Sequence, residues 1–184
     1  MRPDEDSSSG STRPAPGDER VELVDPDGEV LDVVTRAEMR AGRLRHRCVY
    51  LAVIGTDGRL LVHRRAPDKD VWPGRWDVAA GGVVGAGEDW DVAARRELAE
   101  ELGLADASIE PAGGGRYDDE DVHVVARVYL VHSDGPFHFD DGEVVEARFV
   151  SLDELAALRA AEPFCPDSLE LVLPHVPPPF GRGR

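Results

Sequence analysis

Gly82-Val83-Val84-Gly85-Ala86-Gly87-Glu88, followed after seven residues by Arg96-Glu97-Leu98-Ala99-Glu100-Glu101-Leu102-Gly103-Leu104, is the stretch on which the reading of this chain turns. Asp89 to Leu102 has a helical pattern, and Gly103 stands where a left-handed C-terminal cap belongs. Glu97, Glu100 and Glu101 sit at i, i+3 and i+4, so they share one face of that helix. Leu98 and Leu102 fall on another side and can dock the helix on a sheet.

An acidic stripe on a helix is ordinarily a solvated surface, but two features count against that here. Carboxylates about 5 Å apart repel by roughly 3 kcal/mol per pair at an effective dielectric near 20, and no Lys or Arg follows any of the three at i+4. The glutamates also occupy the last turns, where the helix dipole disfavours negative charge. A bound cation would explain both. Oxygen-only donors without Cys or His point to Mg²⁺ or Mn²⁺ rather than zinc. Upstream, the glycines allow sharp turns and close backbone approach, and Glu88 at the helix start is placed to brace the loop.

Working outward, Glu19 to Asp25 and Glu29 to Thr35 alternate around Pro26-Asp27-Gly28 and predict a hairpin. Thr35-Arg36-Ala37-Glu38 fits a capping box opening a short helix that Gly42 should end. Strands are expected at Val49 to Ile54, Leu60 to His63, Trp76 to Val84, Val122 to Val131 and Val144 to Val150. Ser151 to Glu154 is a second capping box, opening a helix to about Ala160, and Pro166 to Leu173 predicts a last short helix. Strands interrupted by a few helices, with no internal repeat, give a mixed α/β or α+β domain over residues 19–174. A disordered lead is expected over residues 1–18, rich in Ser, Pro, Gly and Asp, and a flexible Pro-rich tail over 175–184.

The 184 residues carry a formal net charge of −16, which argues against a nucleic-acid partner. A small phosphorylated ligand needs only a local cation or a few basic residues. No apolar run suggests a signal peptide or a membrane span, so a cytoplasmic location is expected. Cys48 and Cys165 form no ligand pair and read as structural thiols.

The segment Gly82 to Leu104 resembles a complete Nudix box, in the MutT-like superfamily: the glycine, the glutamate six residues on, the Arg-Glu pair, the Glu-Glu pair, the final glycine and both apolar positions match. The resemblance implies a Nudix-type α/β/α sandwich with a mixed β-sheet. It also implies hydrolysis of a diphosphate bond in a nucleoside di- or triphosphate, or a related nucleoside diphosphate derivative, by water activated on a metal. Carried over by position, Glu97, Glu100 and Glu101 would be metal ligands, with Glu97, Glu101 and Arg96 catalytic and Gly82 and Glu88 bracing the loop. Mg²⁺ or Mn²⁺ is the implied cofactor. A small-molecule diphosphate is the implied partner, without nucleic acid or membrane, for a single chain or a homodimer.

Arg64, Arg65, Lys69 and Arg75 are candidates for phosphate contact, and Trp72 and Trp76 for either stacking or core packing. The family often places a further catalytic glutamate beyond the box, for which Glu120, Glu143 and Glu146 stand open. Leu60 to Arg65 with Trp72 to Asp77 resembles the branch near isopentenyl-diphosphate isomerase, which makes isomerisation one alternative. That enzyme places a cysteine and a metal-binding histidine where this chain has Gly81 and Val83. A non-catalytic, nucleotide-sensing domain is the other alternative.

Overall fold

The structure, a computed structural model, describes residues 17–139 and 142–177. The expected disordered lead and flexible tail therefore lie, for residues 1–16 and 178–184, outside the described residues. Ordered packing extends slightly past both expected limits. The Gly17 carbonyl accepts from Ala37 N–H at 3.1 Å, and Val176 is buried in the core.

Among the described residues, nine strands form one mixed sheet: β1 (Arg20–Val24), β2 (Val30–Thr35), β3 (His46–Ile54), β4 (Leu60–Arg65), β5 (Trp76–Asp77), β6 (Ala80–Val83), β7 (Ile109–Asp118), β8 (His123–His132) and β9 (Val144–Val150). Four helices accompany them: α1 (Arg36–Gly42), α2 (Trp90–Leu102), α3 (Leu152–Ala161) and α4 (Pro166–Val172). The order is β2-β1-β3-β4-β5, and β3 also pairs with β6 and, in parallel, with β8. β3 is thus the spine. Its side chains alternate between two cores: Cys48, Tyr50, Ala52 and Ile54 join α1, α3 and α4 on one face, while Val49, Leu51 and Val53 join α2 on the other. Both faces are covered, which makes the α/β/α sandwich.

Asp89 caps α2 by accepting from Asp91 N–H at 2.8 Å, and Gly103 closes it in the left-handed region at φ 69°. Ala93 and Ala94 are small enough to bring the helix close to the sheet. Leu98 and Leu102, fully buried, each stabilise that contact by on the order of 2 kcal/mol. This docking is what holds the glutamate face against the β6 backbone.

Gly42 ends α1 as expected, with Arg43 in the left-handed cap at φ 50°. A Cβ at Gly42 would lie 2.9 Å from the Leu44 side chain, so that glycine also serves a close approach. Two other local expectations need correction. Trp76 to Val84 is not continuous: β5 pairs with β4 and β6 with β3, and Asp77 Oδ1 accepts from Ala79 N–H at 3.2 Å where the chain changes partner. β7 is absent from the sequence reading because Pro111 and Gly113-Gly114-Gly115 suppress the β signal. Its pairing with β8, including a register shift between Pro111 and Gly113, supplies the stability its own residues lack.

Candidate functional site

The loop ahead of α2 is built as a braced arch. Glu88 Oε2 accepts from Gly85 N–H at 2.8 Å, and Arg96 grips both Glu88 oxygens at 2.9 Å. The same guanidinium donates to the Val83 carbonyl at 3.1 Å. Burial would push the Glu88 carboxyl up, but the hydrogen bonds from Arg96 and Gly85 outweigh it and hold it below the usual range. From outside, β1 clamps the arch: Ala86 N–H donates to Arg20 O at 2.8 Å, and Gly87 N–H to Glu22 Oε1 at 2.9 Å.

Under the arch, the three box glutamates separate. Glu97 is buried at 7% exposure, with Arg96 Nη1 2.6 Å from its Oε1. Burial raises its pKa despite that cation. A Cβ at Gly82 would lie 2.5 Å from Glu97 Oε1, so only glycine lets the carboxylate reach this backbone. Glu101 accepts from Gly81 N–H at 3.0 Å, and its pKa is pushed up to about 8 by burial and then by Glu97. Glu100 lies outward, 3.3 Å from Arg96 Nη1. The cation missing at i+4 is therefore supplied from the other direction, four residues before Glu100.

Among the described residues, no three His, Cys, Asp or Glu side chains gather tightly enough to hold a metal ion. Glu97 acts electrostatically on Glu101, and Arg96 Nη1 is shared between Glu97 at 2.6 Å and the exposed Glu100 at 3.3 Å. A buried Glu97 and a half-buried Glu101, the first raising the pKa of the second beside a backbone where a Cβ would not fit, present oxygen donors of the kind a hard divalent cation takes.

The flanking candidates also divide. Lys69 donates to Glu143 in a close ion pair, and both act electrostatically on Glu101. Of the three downstream glutamates, Glu143 is the one that acts electrostatically on Glu101. Glu120 is exposed near the β7–β8 turn, and Glu146 is exposed on β9 opposite Arg64. Arg64, Arg65 and Arg75 all hold backbone: Arg64 Nε donates to Gly74 O at 3.1 Å, Arg65 to Val71 O at 3.2 Å, and Arg75 to Phe164 O at 3.2 Å. Of these, Arg65 lines a small cavity with Gly81 and Gly82. Trp76 is core, stacked on Phe164 with centroids 6.4 Å apart. Trp72 lines an open recess, with the Arg75 guanidinium 4.5 Å from its ring centroid.

Sequence reading passed over several groups at this end of the sheet. The Tyr50 hydroxyl donates to Asp167 Oδ2 at 2.7 Å across 117 residues, and burial together with Asp77 raises the Asp167 pKa. No local pattern could signal a pair so far apart. His46 is buried at 3% exposure, with Nδ1 2.8 Å from Leu44 O. Burial, then the charge of Arg40, lowers its pKa to about 4, and Arg36 and His123 act in the same direction.

His46 should therefore make stability depend on pH. Its folded pKa lies below the unfolded value of 6.5, so its contribution is complete above pH 6.5 and is lost as pH falls towards 4. The change amounts to about 3 kcal/mol. Urea unfolding between pH 4 and 7.5 should show a steeper loss for wild type than for His46→Asn; equal slopes would remove His46 as the cause.

Residues 44–171 match the NUDIX domain family. The chain is 40% identical over 152 residues to "Uncharacterized Nudix hydrolase YfcD" of Salmonella typhi, covering 83% of this chain and 82% of that protein. It is 39% identical over 159 residues to "Uncharacterized Nudix hydrolase PA4841" of Pseudomonas aeruginosa, covering 86% and 94%. Among solved structures, DR0079 from Deinococcus radiodurans superposes with a TM-score of 0.70 at 28% identity, covering 83% of this chain and 96% of that one. The chain belongs to the Nudix hydrolase family.

Proposed function

We propose that this chain is a metal-dependent hydrolase that cleaves the phosphoanhydride bond of a nucleoside di- or triphosphate or a related nucleoside diphosphate derivative. The observation that carries this reading is the pair of buried Glu97 and half-buried Glu101, set against Gly81 and Gly82 and fixed by Arg96 and the Gly81 N–H. Glu97, Glu101 and, after a side-chain shift, Glu100 would hold Mg²⁺ or Mn²⁺. When bound, the ion would lower the pKa of a water and offset charge on the diphosphate. Arg96 keeps the Glu97 carboxylate oriented, and Glu143 stands beside Glu101 as a further group able to take a proton. The activity fits a cytoplasmic protein; among the described residues, no helix is long and apolar enough to cross a membrane.

The isomerase alternative meets a steric obstacle. At Gly81, φ is 148° and an added Cβ would lie 2.0 Å from the Val49 carbonyl oxygen, so a cysteine there would force the β3–β6 pair apart. A sensor domain without turnover is distinguished by assay. A panel of nucleoside di- and triphosphates, ADP-ribose and isopentenyl diphosphate, with Mg²⁺ or Mn²⁺, should release phosphate, pyrophosphate or a nucleoside monophosphate from at least one nucleotide. Turnover should cease with EDTA. Isomerisation of isopentenyl diphosphate, or no hydrolysis with either metal, would overturn the proposal.

A further inference from the structure

Asp167, at the start of α4, is a buried carboxylate without a counter-ion. It is 8% exposed, and its Oδ2 accepts from the Tyr50 hydroxyl at 2.7 Å. Its Oδ1 is buried and has no hydrogen-bond partner. Among the described residues, no Lys or Arg forms an ion pair with Asp167. Arg65 is committed elsewhere, to Asp77 Oδ2 at 3.7 Å and to the Val71 carbonyl at 3.1 Å. Burial and the charge of Asp77 oppose ionisation of Asp167, while the Tyr50 hydroxyl and the amides of Ser168 and Asp167 favour it. A buried carboxylate is ordinarily paired with a cation.

Asp167 faces a cavity of about 70 Å³, lined also by His46, Tyr50, Arg65 and Asp77. Shared walls at Arg40, His46 and Trp72 join it to an open recess of about 640 Å³. His46, 3% exposed, brings a second unmet acceptor to the cavity. Its Nδ1 lies 2.8 Å from the Leu44 carbonyl and so carries the proton, which leaves the buried, unpartnered Nε2 with a lone pair. The nearby positive charges are themselves matched, Arg40 by Asp70 at 3.3 Å and Arg36 by Glu19 at 3.0 Å. Gly81 and Gly82 form another wall, and their backbone meets Glu101 and Glu97. Arg65 interacts electrostatically with Asp77, Glu101 and Asp167 alike, so the cavity adjoins the glutamates.

We infer that this cavity is a subsite for a primary ammonium group, with Asp167 as its counter-ion and His46 Nε2 as a second acceptor. The inference rests on the proposed hydrolysis of nucleoside diphosphate derivatives and narrows the substrate to one whose end beyond the diphosphate is an aminoalkyl group. An ammonium carries one positive charge and three N–H donors, so it meets both open acceptors and supplies the missing cation. Water would satisfy the acceptors but leave the charge of Asp167 unbalanced against Asp77. A divalent metal takes more donors than one free carboxylate oxygen and one imidazole nitrogen. Size sets the remaining limit. At about 30 Å³ per water-sized group, the cavity admits about two or three non-hydrogen atoms and no aromatic ring.

Titration of the metal-free, full-length chain with ethylammonium chloride, followed by amide NMR shifts, should saturate at one site. The dissociation constant should be on the order of 1 mM, as expected of three non-hydrogen atoms. The Tyr50, Asp167 and Ser168 amides should move, and tetramethylammonium or sodium chloride at equal concentration should leave them in place. Asp167→Asn and His46→Asn should each weaken binding by about tenfold or more, the effect of losing a hydrogen bond to a charged group. Two variants are used so that a folding defect in one leaves the other to decide. No saturation with ethylammonium, or the same shifts with sodium, would mean that water or solvent ions alone fill the cavity and would overturn the inference. Unchanged affinity in both variants would do the same. In turnover with Mg²⁺, 2-aminoethyl esters of the common nucleoside diphosphates should show kcat/KM about tenfold or more above the matching ethyl esters. Asp167→Asn should bring that ratio to about one. Equal rates in wild type, or cleavage of other nucleotides but of neither ester, would overturn the assignment of the amine to the substrate. If wild type hydrolyses no nucleotide, the hydrolase reading fails, while the ethylammonium titration still decides the cavity.

Discussion

Glu101→Gln should lower metal-dependent turnover by on the order of a thousandfold and leave the fold intact. The amide keeps the shape of the side chain, and its carbonyl can still accept from Gly81 N–H, 3.0 Å from the present carboxylate. What it loses is the negative charge. Burial and the neighbouring Glu97 both work against that charge in the protein without metal, so a neutral group there should cost no stability. Thermal unfolding should show a midpoint equal to or above that of wild type, and kcat should be measured at saturating Mg²⁺ and Mn²⁺. Turnover within tenfold of wild type would sink the placement of the cation at Glu97 and Glu101.

Gly81→Ala should cost more than about 3 kcal/mol in stability. Two penalties coincide at this position. The backbone has φ 148°, which side chains rarely adopt, and the added Cβ would meet the Val49 carbonyl oxygen at 2.0 Å and Tyr50 Cα at 3.1 Å. Both obstacles are backbone atoms of the central strand, so no rotamer change relieves them. Activity should fall with stability, because the same residue presents the N–H that fixes Glu101. Gly87→Ala is the control: φ is 73° there as well, but no atom lies within 4 Å of the added Cβ. That substitution should cost only about 1 kcal/mol. Urea unfolding of the pair measures the difference, and similar losses would show that conformation rather than the clash dominates at Gly81.

The helix that carries the box glutamates could be read along the chain because it is local. Helical periodicity alone puts Glu97, Glu100 and Glu101 on one face and Leu98 and Leu102 on another, and α2 forms from Trp90 to Leu102 with Asp89 and Gly103 as its caps. The hairpin of β1 and β2 and the two capping boxes at Thr35 and Ser151 were equally legible, since a few adjacent residues suffice to form each. β7 was not, because a strand carrying Pro111 and three glycines exists only through its pairing with β8.

The glutamate face and the family were thus set by the sequence through short-range periodicity and spacing. Tertiary structure decided how deep each glutamate sits, with Glu97 buried, Glu101 half-buried and Glu100 exposed. It draws Glu97 and Glu101 under the Gly81–Gly82 backbone and leaves Glu100 outward with Arg96. It also placed Glu143, paired with Lys69, where it acts electrostatically on Glu101, and assembled the Arg40–His46–Trp72 recess from a helix, a strand and a loop. Burial and electrostatic proximity depend on which distant segments pack together, and sheet pairing is what brings those segments into contact.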